Sequence, residues 1–287
     1  MQKSFGMGYI GSRGEQMIYT IRNVAIRFFK ERFFDQAAQT AYYLLLAIFP
    51  FLLFLLSLLS LLPVNEEMIL SFLSPFVPVE AFNLIEANIS VILRKRQGHL
   101  VYTSLLLAFW ISSVAVQSLS RSMDLAYGSF RRYAFWKVLI RDLGITFLFM
   151  LVISLSLFLP LIEKALHEAV MYYDTIEQWR GWMYVWPGIR WGLGTVFLFL
   201  FFMLFYKVVP THKVKWHQTL PGTLFSTFGW QLFSIVFGEY VTNVDYTRLY
   251  GQLSGIILLV IWFYMTAIIL LISGLLNAEF RKRGRLV

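Results

Sequence analysis

One of the two longest uncharged runs in the chain lies close to its end. From Tyr250 to Ala278 no residue is charged; Glu279 and the basic cluster Arg281, Lys282, Arg283 and Arg285 then close the run. The hydrocarbon core of a bilayer takes roughly 20 helical residues to cross, so the stretch reads as a membrane span over 253–279. Its polar positions are ordered. At about 100° per residue, Gly251, Gly255, Trp262, Thr266, Ser273 and Asn277 share one face. One side of this helix is therefore left to lipid, and the other calls for partner helices. Gly251 and Gly255, in GxxxG spacing, are the positions where close packing or a hinge is expected.

Five earlier runs have the same character, at about 37–62, 100–123, 139–163, 187–208 and 217–240. The first places Gln36, Tyr43, Pro50 and Ser57 seven residues apart, with Gln39 on the same side, and Pro50 in mid-helix frees a backbone carbonyl. The second carries Ser113, Gln117, Ser120 and Asp124 at helical spacing. The fifth lines up Thr219, Thr223, Ser226, Trp230 and Ser234. Between the first two runs, residues 63–99 are broken by prolines and charges, which reads as short amphipathic helices on the extracytoplasmic side. Ahead of the first run, residues 1–36 are polar and basic. Ile18, Ile21, Ala25, Phe28 and Phe29 recur there at helical spacing among Arg22, Arg27, Lys30 and Arg32. Two readings of that segment stand: an amphipathic helix on the inner membrane surface, or an ordinary packed helix.

Composition agrees with this pattern. The chain of 287 residues is 58% hydrophobic and only 14% charged, far below the charged share of a soluble domain. Lipid leaves backbone polar groups unsatisfied, so spans must be helices or a closed barrel; continuous rather than alternating runs select helices. The expected fold is all-α, a polytopic integral membrane protein of six transmembrane helices over 37–280, with a basic tail at 281–287. The net charge of +9 then reads as loops facing anionic headgroups rather than nucleic acid. With the N-terminus inside, Lys and Arg divide 18 to 7 in favour of the inner segments. The expected topology thus has both termini in the cytoplasm.

Catalytic chemistry is not visible. There is no cysteine, and His99, His167, His212 and His217 stand at no metal-ligand spacing. No phosphate loop, nucleophile elbow, dinucleotide fingerprint or nucleic-acid module is present. The expectation is a non-enzyme without cofactor or metal. Two sets of polar residues stand out instead. Gln39, Tyr43, Pro50, Gln117, Thr266, Ser273 and Asn277 either line a polar cavity among spans 1, 2, 5 and 6 or make a packed interface. Asp35, Arg121, Asp124, Arg141, Asp142 and Glu279 stand at the inner span ends, either as a gate or headgroup site or as a ring of interfacial ion pairs.

Several segments together resemble the YihY/BrkB inner membrane proteins: AAQTAYYLLLAIFP (37–50), SMDLAYG (122–128), Tyr206 with Pro210, LPG (220–222), and the run from Tyr250 to Glu279. The resemblance covers about residues 30–282. It implies a six-helix protein of the bacterial cytoplasmic membrane and a role in transport, of lipids or ions. Some members carry a ribonuclease label, for which this sequence offers no catalytic metal motif. Where relatives read GAELNAE, this chain has SGLLNAE, with Leu275 in place of the acidic residue and with Asn277 and Glu279 kept. The partners expected are membrane lipids, anionic headgroups above all, and a lipid or ion substrate. A membrane scaffold that organises lipids or proteins is the alternative.

Overall fold

The computed structural model describes residues 13–59, 98–128, 134–172, 180–243 and 251–283. Each apolar run forms one helix, as the 3.6-residue periodicity requires. The elements are α1 (Arg13–Lys30), α2 (Phe33–Leu59), α3 (Gly98–Ala126), α4 (Phe135–Tyr172), α5 (Arg180–Val208), α6 (Trp216–Asn243) and α7 (Ser254–Arg283). A 3₁₀ turn, Gly251–Leu253, leads into α7. Of residues 63–99, where amphipathic helices are expected, all but Gly98 and His99, which open α3, lie outside the described residues.

Four of these helices contain segments long and apolar enough to cross a membrane: Leu105–Ala126, Phe135–Ser156, Trp191–Val208 and Ser254–Lys282. The first has 22 residues, a rise of about 33 Å, which matches a hydrocarbon core of about 30 Å. The helices overrun the apolar runs. Residues 164–172, beyond the end of the apolar run at 139–163, continue α4, because backbone hydrogen bonding does not stop where side chains become charged.

Beside an apolar core, the described helices expose many large apolar side chains and bury many small hydroxyl residues. Leu106, Trp110, Phe147, Leu193, Leu200, Phe228 and Leu232 are exposed, whereas Ser113, Ser118, Ser120, Ser122, Thr219, Thr223, Ser226, Thr227 and Asn277 are buried. Apolar surface costs nothing against lipid, and small hydroxyl residues let helix backbones approach. Thr223, Ser226 and Thr227 each donate to the carbonyl four residues back, at 2.8 Å, so burial leaves these hydroxyls satisfied.

The chain divides into two compact units, and the divisions fall within α2, α3 and α5. One comprises Thr40–Ser118 and Tyr133–Val196. Its core joins Phe54, Ala108 and Met150, flanked by Phe51, Leu105 and Phe109, and a Thr40–Ser118 hydroxyl contact of 3.1 Å ties α2 to α3. The other comprises Met1–Gln39, Leu119–Arg132 and Phe197–Val287, and is dominated by α6 packed along α7, with α1 packed on α7 as well. Trp262 of α7 sits among Trp230, Phe233 and Phe237 of α6, with ring centroids 5.3–5.6 Å apart. The polar face of the closing helix thus meets the hydroxyl stripe of α6.

Three turns use the left-handed backbone, at Arg32, Gly128 and Gly251. Gly128, at φ 64°, ends α3 as a C-terminal cap, with its N–H donating to the Leu125 carbonyl at 2.9 Å. Gly251, at φ 55°, enters the 3₁₀ turn. That conformational need accounts for Gly251. Among the described residues, nothing lies within 4 Å of a Cβ built at Gly251 or Gly255, so the close packing expected of this GxxxG pair is not made there.

Candidate functional site

The polar chemistry of the second unit is concentrated where α1, α3, α6 and α7 approach the α5–α6 loop. At one end, Arg27 of α1 is the hub. Its Nη1 donates to Glu279 Oε1 at 2.9 Å, its Nε and Nη2 donate to Glu31 at 2.7 and 3.0 Å, and Nη2 also donates to the Ala126 carbonyl at 2.8 Å. Lys282 Nζ donates to Glu279 Oε1 at 2.9 Å. One guanidinium therefore joins three helices, using the planar fork that lysine lacks. Burial disfavours its charge, but the Glu31 and Glu279 carboxylates outweigh that and hold Arg27 above its usual pKa.

α3 grips the α5–α6 loop at three points one turn apart. Ser120 Oγ donates to the Val209 carbonyl at 3.1 Å. The buried Asp124 carboxylate accepts from the Thr211 backbone N–H at 2.8 Å and from the Thr211 hydroxyl. The Tyr127 ring meets the His212 ring edge-on at 4.4 Å between centroids, and the Arg281 guanidinium lies over the Tyr127 ring, 5.6 Å from its centroid. Burial pushes the Tyr127 phenol above its ordinary range.

Between α6 and α7 the backbones come close at Gly222. A Cβ on Gly222 would lie 2.5 Å from Asn277 Nδ2 and closer still to the Ser273 carbonyl. Pro221 inside α6 has no N–H to give to the helix. The next N–H, that of Gly222, donates to Asn277 Oδ1 at 2.6 Å. On the far face of α7, a Cβ on Gly274 would strike the Met123 thioether of α3. Tyr206 of α5 is fully buried, with its Oη 2.6 Å from Ser226 Oγ and 3.1 Å from the Leu270 carbonyl. Thr266 Oγ1 and Asn277 Nδ2 are buried polar atoms with no hydrogen-bond partner.

The residues singled out from the sequence divide accordingly. Thr266, Ser273 and Asn277 lie on the seam of this unit, and Ser273 Oγ donates to the Ile269 carbonyl at 2.7 Å. Tyr43, Pro50 and Gln117 are half-buried in the other unit, and Gln39 is exposed. The packed face of α2 is Phe33, Ala37, Thr40, Ala47 and Phe54, beside the predicted polar stripe rather than on it. Of the inner-end charges, Glu279 belongs to the Arg27 hub and Asp124 to the loop clamp. Asp35 pairs at the surface with Arg32 at 2.6 Å, and Arg121 is exposed. Arg141 and the wholly buried Asp142 pair at 3.0 Å in the other unit. Within their own units, Glu279, Asp124 and Asp35 each make a separate contact, and Arg141 and Asp142 pair with each other.

Sequence reasoning did not single out Arg27, Thr211, Gly222 or Gly274 as site residues. A glycine directly after a proline inside a helix, and a glycine adjacent to the polar face of α7, are signals that could have found the last two. Leu275 is fully buried. Among the described residues, no group of three His, Asp or Glu is placed to hold a metal ion.

Four of the five segments that carry the family resemblance meet in this unit: SMDLAYG supplies Met123, Asp124 and Gly128; Tyr206 and Pro210 flank the loop; Gly222 of LPG meets Asn277 of the closing helix. No solved structure matches the chain. Among named relatives, the ribonuclease-like protein YfkH of Bacillus subtilis (strain 168) is 31% identical over 253 residues, covering 88% of this chain and 91% of its own. A UPF0761 membrane protein of Coxiella burnetii (strain Dugway 5J108-111) is 27% identical over 267 residues, covering 90% and 92%. A family model described as virulence factor BrkB matches residues 24–286, nearly the whole chain. With several helices long and apolar enough to cross a bilayer and that match, the chain is a membrane protein and belongs to the BrkB family.

Proposed function

We propose that this chain is a non-enzymatic transport protein of the bacterial cytoplasmic membrane that moves a lipid or an ion, with six spans and both termini in the cytoplasm. One observation carries the reading. Thr266, Ser273 and Asn277 fall within about 40° on α7, over a rise of about 17 Å, and Thr266 Oγ1 and Asn277 Nδ2 are buried without partners. A polar atom denied a hydrogen bond in an apolar setting is costly. A water or a substrate group passing along this face would supply the missing partner.

The tight approach at Gly222 and Gly274 supports a second reading, a dry scaffold that organises lipids or partner proteins. The cysteine-free chain separates the two. Single cysteines at Thr266, Ser273 and Asn277, with Val260 as an exposed lipid-side control, are treated with a charged thiol reagent in membranes. In parallel, proteoliposomes are scored for lipid movement and ion flux. Transport predicts reaction on the seam but not at Val260, together with flux. Inert seam cysteines and static liposomes would leave the scaffold. A reporter fused after Val287 tests the topology, and activity outside the membrane would overturn it.

A further inference from the structure

α1 has two faces, and its buried residues lie on one of them. Val24 and Phe28 are buried, and Arg27 between them makes the contacts to Glu279 and Ala126. About 120° to 180° around the helix from Arg27, Ile18, Ile21, Ala25 and Phe29 form a second stripe within about 80° of arc. Its large members are left open: Ile18 is 67% exposed, Ile21 58% and Phe29 68%. Ile26, also exposed, extends the stripe on the side of Arg22 and Lys30, which are exposed bases; Glu15 is the one acid on that flank.

The position of the helix says what lies against that stripe. Arg27 touches Ala126, the last residue of the apolar segment Leu105–Ala126, and Glu279, one turn short of the end of Ser254–Lys282. α1 is therefore fastened at the level where two membrane-crossing segments end on the same side. That level is the boundary between acyl chains and headgroups. The link to α2 is only Glu31–Arg32, and Arg32 takes a left-handed φ of 56°, so the chain turns sharply there instead of running on as one rod.

We propose that α1 is an in-plane interfacial helix. Its Ile18–Ile21–Phe29 stripe is seated in the headgroup–acyl boundary of the same bilayer that its own spans cross. Arg22 and Lys30 reach phosphate headgroups from its edge. The helix is held to the protein through Arg27 and to the membrane through the stripe. This does not depend on transport: the scaffold reading needs the same seat.

The test uses single-cysteine variants Ile18→Cys, Ile21→Cys and Phe29→Cys, each carrying a nitroxide, in nanodiscs of phosphatidylglycerol and phosphatidylcholine. Power saturation compares collision with oxygen, which concentrates in lipid, against a water-soluble nickel chelate. The seat predicts several-fold more oxygen than nickel collision at all three sites, and the reverse at Lys30→Cys. Nickel collision dominating at all three would place the stripe in water and overturn the proposal. Spin–spin broadening in these singly labelled samples would also overturn it, by showing a second copy of the chain on the stripe. Because the three positions are exposed, the labels displace no packing, and retained hydrogen-exchange protection of α7 verifies the fold in each variant.

Discussion

Gly222→Ala is the sharpest perturbation the α6–α7 seam allows. The added methyl would meet Asn277 Nδ2 at 2.5 Å, Asn277 Cγ at 2.6 Å and the Ser273 carbonyl, all inside normal contact. The Ser273 carbonyl is backbone in mid-helix and cannot rotate away, so the helices must part. Overpacking of this kind costs about 1–3 kcal/mol. Parting also loses the 2.6 Å bond from the Gly222 N–H to Asn277, worth about 1 kcal/mol. Alanine returns up to about 1 kcal/mol through helix propensity. The net is a loss of about 1–3 kcal/mol, or roughly 5- to 150-fold in the folding equilibrium.

Gly229→Ala, in the same helix, is the internal control. Its nearest neighbour would be Ile269 Cγ2 at 3.7 Å, an ordinary contact, so only the propensity gain remains and the variant should be unchanged or firmer. Unfolding in mixed micelles, titrated with dodecyl sulfate and followed by circular dichroism, reads the difference. Adding Asn277→Ala to Gly222→Ala should not restore stability, because the carbonyl stays where it is. If Gly222→Ala is as stable as Gly229→Ala, or if Asn277→Ala rescues it, the backbone approach described for this seam is wrong.

Three further predictions follow from the same unit. Gly274→Ala faces the end of a flexible thioether, so it should cost less than Gly222→Ala and be largely recovered by Met123→Ala, measured in the same titration. Arg27→Met strips the guanidinium from Glu279, Glu31 and the Ala126 carbonyl, whose side-chain partners are 10% and 30% exposed. A loss on the order of 3 kcal/mol is expected, with faster hydrogen exchange in α1 than in α6; equal exchange in both would show that Arg27 does not fasten α1. Trp262→Ala empties the nest formed with Trp230, Phe233 and Phe237 and should cost about 3–5 kcal/mol. A loss below about 1 kcal/mol would mean that those rings close without it.

The helices were legible because each is written twice, in length and in periodicity. The apolar runs locate α2 to α7, and the face through Trp262, Ser273 and Asn277 is the one that meets α6. What periodicity could not supply is which helices touch. Asp124, Arg141 and Glu279 share a depth in sequence terms, yet Asp124 bonds Thr211 across 87 residues and Glu279 bonds Arg27 across 252. Such pairings depend on tertiary arrangement, and nothing local encodes them. The stripe of α2 shows the other limit. Gln39 and the packed Thr40 are adjacent, and a rotation of about 100° separates an exposed amide from a buried hydroxyl. The GxxxG signal at Gly251 shows a further limit: a glycine can be required by φ as well as by contact, and the sequence does not say which.

Leu275 narrows what the seam can do. The family resemblance puts an acidic residue at this position, and here the side chain is apolar and wholly buried. Glu279, the acid one turn further on, is held by Arg27 and Lys282, and Asp124 is held by Thr211. On the described part of α7 no carboxylate is left over to bind a cation or relay a proton along the polar face. What the face does offer is uncharged: the Asn277 amide N–H, which donates, and the Thr266 hydroxyl, which donates or accepts. A bare cation would be poorly held by two such groups in an apolar setting, because its dehydration demands several oxygen ligands. A group that accepts hydrogen bonds and brings its own apolar body, such as a lipid phosphate or ester carbonyl with its chains, matches them better. Of the two substrates in the proposed function, the lipid is therefore the one these residues favour.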